Sequence, residues 1–474
     1  MTRDHKLNIL LLIALTGAAG GCAAGRFDGP LQDLVRRDLS VDEREYQYLQ
    51  SATSEDGKFR DQQESDINDL KTVDDMVHLA LARNPVIRAA EQKVLRMRER
   101  IDQVTSLDDP RLKVVPIGSM AETAAGQVYA MTSISQKFPF PGKLDTKGKI
   151  ARQDVAIAEQ ELAAARLKVA ADIRDAYWNY YYTVQAVDIT RQNKELLLQL
   201  RDVAQSRYRA GQANQQSVLR ASVEINNIDK NLIELEQRKN TFVARLNSLM
   251  NRSVNADIPV PPGADLDGVN LKADEILQLA RENNPDVKML QEVLEKYHSS
   301  RKLAGLSRKP DITVSASYNL VHDYGLAPMA NGDDQWWIGF SINIPIWEDK
   351  LDAAEREASR GILETASRIA DEKNRVGFLV SDAMLRINSE FDQAKLLRDV
   401  IIPQAVQTVE ASLSGYRSGD VDFLTLIDNW RKLLAFQLMF QRSMTDMQQA
   451  LADLQEVVGG DLEGGNNNTE TEND

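Results

Sequence analysis

Two stretches of the chain alternate apolar and polar positions without interruption. From Ile312 to Leu320, residues Ile312, Val314, Ala316, Tyr318 and Leu320 share one face, and Thr313, Ser315, Ser317 and Asn319 the other. From Trp336 to Ile344, residues Trp336, Ile338, Phe340, Ile342 and Ile344 oppose Trp337, Gly339, Ser341 and Asn343. A period of two predicts strands, and about nine to eleven residues is the length a tilted strand needs to cross a bilayer. The intervening Val321 to Gln335, with Gly325, Pro328, Gly332 and Asp333–Asp334, predicts a long polar loop. Two readings are open at this point. The strands form a water-soluble sheet covered by helices, or several chains pool them into a closed barrel, because an unpaired backbone group in lipid costs several kcal/mol.

Elsewhere the period changes to three and four. From Leu144 to Tyr208, residues Val155, Ala158, Leu162, Ala165, Val169, Ile173, Ala176, Tyr180, Val184 and Val187 recur at coiled-coil-like spacing, and no proline occurs between Pro141 and Pro259. Sixty-odd residues at 1.5 Å each predict a rod of about 100 Å. A second long helix is expected from Asp349 to Tyr416, kinked or broken by Pro403.

The pattern is written twice. Thr72 to Pro85 aligns with Lys272 to Pro285, with Asn84-Pro85 against Asn284-Pro285, and the offset of 200 holds without a gap to Pro110 and Pro310. Gln136 to Pro141 corresponds to Asn343 to Pro345, and Tyr208-Arg-Ala-Gly211 answers Tyr416-Arg-Ser-Gly419. Each unit reads as short helix, helix, strand, loop, strand, long helix, glycine turn and returning helix. In the first unit the strands fall near Arg111–Ile117 and Gln127–Phe138, with Val128, Ala130, Thr132 and Ile134 sharing a face and Gly118–Gly126 as loop. The expected organisation is a signal peptide (1–21), an N-terminal lipid-anchored segment (22–71), a first repeat (72–252), a Pro/Gly-rich linker (253–271), a second repeat (272–458) and a disordered acidic tail (459–474).

Composition narrows the function. The formal charge of −14 argues against a nucleic-acid partner. No apolar run after residue 20 is long enough for a membrane helix, so any membrane entry is by strands. Arg3, His5 and Lys6 before Ile9–Leu15 and the small residues Gly17–Gly21 form an export signal. The single cysteine, Cys22, resembles a bacterial lipoprotein processing site, although the usual leucine three residues earlier is missing. Ala23 after it favours the outer membrane. Catalytic or metal chemistry is not expected. His5, His78, His298 and His322 are scattered, the methionines do not cluster, and no phosphate loop or nucleophile motif occurs. No cofactor is expected, and the energy for any transport must come from partners. Trp336, Trp337 and Trp347 fit an aromatic belt at a membrane rim. Four strands in one chain cannot close a barrel, but three copies supply twelve.

The duplicated unit, the Tyr-Arg-x-Gly turns, and Tyr416-Arg-Ser-Gly-Asp-Val-Asp-Phe-Leu-Thr-Leu-Ile-Asp428 followed by Trp430-Arg431 resemble the TolC-family outer-membrane efflux proteins over about residues 70–458. Gln136 to Lys143 (QKFPFPGK) is similar to members paired with heavy-metal exporters. The resemblance implies a mainly α fold with a small β part: a homotrimer with a 12-stranded transmembrane β-barrel and an α-barrel of long helices crossing the periplasm. It implies a passive duct for heavy-metal cations or small toxic compounds, working with a periplasmic adaptor and an inner-membrane RND-type pump. Docking would use the tips at Arg209, Gly211, Arg417 and Gly419. The periplasmic gate would involve Tyr416, Asp428 and, as a second acidic ring, Asp420 and Asp422. The membrane strands would present Val314, Tyr318, Trp336, Trp337, Phe340 and Ile342 near outer-membrane lipid, and Cys22 would carry the anchor. One family ion pair between the two turns is absent here, since its positions hold Ser217 and Val421. Competing readings are a type I secretion channel and, in another class, a periplasmic coiled-coil adaptor or scaffold; a hydrolase ranks third.

Overall fold

A computed structural model describes residues 72–118, 122–123, 125–262, 266, 272–323 and 332–460. The signal peptide, Cys22 and the tail from residue 461 lie outside the described residues.

The helices start and stop where local chemistry dictates. Helix α1 (Val73–Arg83) opens on a capping box, in which Thr72 accepts from the Asp75 amide and Asp75 returns a bond to the Thr72 amide. It stops at Asn84 because Pro85 follows, and Asn84 at once caps α2 (Pro85–Thr105) through its side chain and the Val86 amide. The second repeat repeats the device, with Asn284 between α5 (Ala273–Asn283) and α6 (Pro285–Leu306). Both asparagines are buried. Each also donates across to the end of a returning helix, Asn84 to the Leu249 carbonyl and Asn284 to that of Val457.

Helix α3 (Lys143–Arg209) is unbroken over 67 residues, and α4 (Gln215–Leu249) returns beside it. In the second repeat α7 (Glu348–Leu396) runs into a π-turn (Leu397–Ile401) and then α8 (Ile402–Ser418), and α9 (Phe423–Val458) returns. Pro403 therefore does not break the rod. Its ring would clash with the Asp399 carbonyl in an α-helix, and the wider π-turn, with the Ile402 N–H bonded to the Leu397 carbonyl, makes room. Among these helices α3 packs on α4 and α9, and α9 packs on α7 and α8. The wall thus runs α4, α3, α9, then α7 and α8. Helices α1 and α2 pack on α3, and α5 and α6 on α7.

The sheet has the order β1 (Arg111–Pro116), β3 (Gly126–Phe138), β4 (Ile312–His322), β5 (Gln335–Ile342), all antiparallel. A two-residue strand β2 (Glu122–Thr123) pairs with β3 inside the stretch expected to be loop. The strand expected to reach Ile344 ends at Ile342, since Pro345 offers no N–H and restricts the residue before it.

The register sorts the side chains. Leu112 pairs with Ile134, Ile134 with Ala316 and Ala316 with Ile338, while Phe138 pairs with Ile312 and Ile312 with Ile342. Paired residues share a face, so one apolar face runs across four strands. Lys113, Ser133, Ser317 and Trp337 lie across the opposite face. Val128 departs from the expected face. Ala130 pairs with Leu320 but Val128 with Val321, so a bulge at Tyr129 turns Val128 to the other side.

Candidate functional site

The residues singled out in the sequence fall in two regions, the sheet and the far ends of the helical hairpins. In the sheet, Trp336, Phe340 and Ile342 are 71%, 75% and 58% exposed. Tyr318 is exposed, and Val314 is partly so. Trp337 lies on the polar face. No helix packs across the apolar face among the described residues. The water-soluble reading, which required helices to cover it, is therefore not met. At 3.3 Å per residue, β4 is about 36 Å long, enough to cross a bilayer when tilted.

Where strands meet helices, one carboxylate joins both repeats. Asp311 Oδ1 accepts from Lys143 Nζ (2.6 Å) and from the Phe140 amide (2.9 Å), and Lys137 Nζ lies 3.3 Å from Oδ2. Lys143 also donates to the Lys309 carbonyl at 2.8 Å, and the Asp311 amide donates to Asn343 Oδ1. Burial opposes the Asp311 charge, but the bonds from Lys143, Phe140 and Lys137 outweigh it and hold the carboxyl below its usual range. The QKFPFPGK stretch is thus a joint: Lys137 and Lys143 are its two cations, and Gly142 takes φ +90° so that the chain can turn into α3.

At the tips, Gly211 (φ +71°) and Gly419 (φ +99°) make the left-handed turns that end α3 and α8. Arg209, Gly211, Arg417 and Gly419 are all exposed. Asp422 caps α9 by accepting from the Thr425 amide at 2.6 Å, a bond that lowers its pKa. Asp420 accepts from the Ser418 hydroxyl, also at 2.6 Å. Both acids are exposed, yet each serves the turn that carries it. Asp428 is exposed one turn into α9 and pairs with Lys432 at 2.8 Å.

Tyr416 is buried, with its ring 5.3 Å from that of Phe423. The Arg207 guanidinium, from the first hairpin, lies over the Tyr416 ring at 4.9 Å. Higher up, Arg431 on α9 makes a two-bond pair with Glu224 on α4, and Glu224 is only 12% exposed. Ser217 and Val421 do not reach across, since Ser217 bonds Asn214 and Val421 packs on Gly415. Two other contacts therefore tie the hairpins together, through Arg207 and Glu224. Neither residue was singled out from sequence. The available signal was that Glu224 flanks the core positions Ala221 and Ile228, while Trp430, which anchors the same core, precedes Arg431.

The remaining clusters suggest no chemistry. Among the described residues, no group of His, Cys, Asp and Glu has metal-holding geometry, and no helix is long and apolar enough to cross a membrane.

Comparison with known proteins agrees with this geometry. Residues 76–252 match the family described as outer membrane efflux protein. The cobalt-zinc-cadmium resistance protein CzcC of Cupriavidus metallidurans is 21% identical over 402 residues, covering 82% of this chain and 90% of CzcC. The CusC channel superposes with a TM-score of 0.68 at 18% identity, over 82% of this chain and 92% of CusC. VceC of Vibrio cholerae gives 0.68 at 16% identity, over 82% and 96%. The open MtrE channel of Neisseria gonorrhoeae gives 0.64 at 18% identity, over 82% and 89%. The first repeat thus matches the outer membrane efflux protein family, and 82% of the chain carries the fold of these channels.

Proposed function

We propose that three copies of this chain close into one duct that carries heavy-metal cations out of the cell, fed by a periplasmic adaptor and an inner-membrane RND-type pump at the turns around Gly211 and Gly419. The observation that carries the reading is the sheet. Its apolar face is exposed, and its edge strands β1 and β5 lack outer neighbours within the described residues. In lipid those edges must be paired, which β5 of one copy and β1 of the next accomplish, giving a twelve-stranded barrel.

The helical wall supports the same symmetry. Its inner member α3 has one exposed large apolar side chain, Tyr208. The outer members carry rows of them: Leu219, Val223 and Ile233 on α4, and Leu363, Phe378, Leu385 and Leu396 on α7. Such rows fit an interface between neighbouring copies. At 1.5 Å per residue the 67-residue α3 is about 100 Å long, suited to crossing a periplasm.

A metal cargo is favoured over other small toxic compounds by the likeness to CzcC, a cobalt-zinc-cadmium resistance protein. A ring of three Asp428 carboxylates at the narrow end would attract cations, and Tyr416 would hold that end shut from within its core. Cys22 would anchor each copy in the outer membrane by acylation. The test is to extract the protein in detergent, measure its oligomeric state and its conductance in planar bilayers, and challenge a deletion strain with cobalt, zinc, cadmium and copper. A trimer that conducts, with metal sensitivity in the deletion strain, is expected. A water-soluble monomer without conductance refutes the duct, and unchanged metal tolerance refutes the cargo.

A further inference from the structure

The face of the sheet opposite the apolar one is not neutral. Of the residues that the register places there on β1, β3, β4 and β5, Arg111, Lys113 and Lys137 are cationic and none is acidic. Lys137 is spoken for, since its Nζ lies 3.3 Å from Asp311 Oδ2 in the joint. Arg111 and Lys113 are exposed, and among the described residues neither side chain makes an ion pair or a hydrogen bond. Asp108 and Asp109, just before the strand, pair with neither.

The register also sets what stands beside these two cations. Arg111 is abreast of Ser135, Ser135 of Ser315, and Ser315 of Gly339. Lys113 is abreast of Ser133, and that level continues through Ser317 to Trp337. At the level of Arg111 the other strands thus offer only serine and glycine, and the guanidinium is the one long side chain. Gly339 is kept small by its neighbour, because a Cβ there would come within 3.0 Å of Ser315 Oγ. Arg111 and Lys113 are two residues apart, about 7 Å along the strand. That is shorter than the screening length of about 8 Å at physiological salt, so their fields overlap.

In a barrel whose apolar face meets lipid, the opposite face lines the pore. We infer that Arg111 and Lys113 form a cationic collar inside the barrel, close to its joint with the helices, and that this collar selects anions bearing carboxylate or phosphate groups. The inference rests on the duct reading and specifies what the exit of that duct admits. Two unpaired cations per chain become six in three copies. Rings of arginine and lysine make a pore prefer anions, and low-dielectric walls concentrate their field. The arginine fork matches a carboxylate or phosphate, and a second cation about 7 Å away favours ligands with more than one negative charge. The duct then carries opposite charge at its two ends, acidic at Asp428 and basic at the barrel. A metal cation crosses the collar in the company of anionic ligands, and bare cations outside are opposed from entering.

The test compares the purified full-length protein with Arg111→Gln plus Lys113→Gln in planar bilayers. The reversal potential in a potassium chloride gradient gives the chloride-over-potassium permeability ratio, and added citrate serves as the polyvalent carboxylate. The double variant should lower the ratio by about threefold or more and weaken citrate inhibition of the current by about tenfold. Arg111→Ser plus Lys113→Ser, which copies the neighbouring strands, replaces it should the first variant misassemble. An unchanged chloride ratio overturns the collar. A lowered ratio with unchanged citrate inhibition overturns polyvalent carboxylates as its ligand. A wild-type protein that never conducts overturns the duct instead. Iodide quenching of Trp337, at the level of Lys113, then decides the collar, with Trp337→Phe to isolate the signal. Iodide quenching that falls in the double variant while quenching by neutral acrylamide does not supports the collar, and equal iodide quenching overturns it.

Discussion

The joint at Asp311 gives the sharpest quantitative test of how sheet and rods are held together. Asp311 and Lys143 have side chains 12% and 11% exposed, and the carboxylate takes bonds from α3, from the exit of β3 and from Lys137. Asp311→Asn keeps an acceptor for the Phe140 amide but strands the nearly buried Lys143 ammonium without its counter-charge. Removing one partner of a buried pair costs about 3 to 5 kcal/mol, and the lower end applies here because the Lys309 carbonyl remains as a partner. Replacing both, Lys143→Met with Asp311→Leu, leaves no stranded charge and should cost about 1 kcal/mol for the lost Phe140 bond. The assay is the midpoint of thermal dissociation of the detergent-solubilised protein. The single variant should fall further than the double. The acid limb gives an independent reading. The Asp311 pKa is lowered in the folded protein, so its contribution is complete above the usual carboxylate value of 3.8 and is lost as pH falls through the lower folded value. Wild type should lose stability below about pH 4, and Asp311→Asn should lack that part of the loss. A single variant as stable as wild type, or a double variant less stable than the single, would refute the reasoning.

Three further outcomes are expected. Asp428→Ala should lower the cation-over-anion permeability ratio in bilayers and Lys432→Ala should raise it, because Lys432 offsets part of the Asp428 charge at 2.8 Å; equal ratios in both would remove Asp428 from the conduction path. Arg207→Ala and Glu224→Gln should each loosen the tip by about 1 kcal/mol, seen as faster amide exchange in 402–434 with no change near the sheet. Asp422→Ala should weaken the start of α9 while Asp422→Asn should not, since asparagine caps as well; amide exchange at Thr425 distinguishes them.

The parts legible in the sequence are those fixed by local period. Strands β4 and β5 alternate cleanly because apolar residues hold one face of the sheet and mostly polar ones the other, and the ends of α3 are legible to within a residue because no proline interrupts it. The repeat was legible because both copies reuse one capping asparagine before proline. What was missed depends on partners far along the chain. Strand β2 has two residues, too few for any period, and the bulge at Tyr129 exists only relative to the register of β4. At the tip, Arg207 meets Tyr416 and Glu224 meets Arg431 across some two hundred residues, with nothing local to mark them. The position of Pro403 was a local signal, but its outcome was not. Whether a proline breaks a rod or is absorbed by a π-turn depends on whether its neighbours hold the helix in line, and here α9 packs along the turn.

That difference bears on function. A broken rod would give two independently placed helices and a tip whose position is loosely set. A rod carried through a π-turn stays continuous but gives up one level of regular α-helical hydrogen bonding, at Leu397–Ile401. A duct needs walls rigid enough to stay sealed over about 100 Å. Absorbing the proline in one turn, with packed apolar cores on either side, meets that demand, because the cores hold the helices in place where the regular hydrogen bonding lapses.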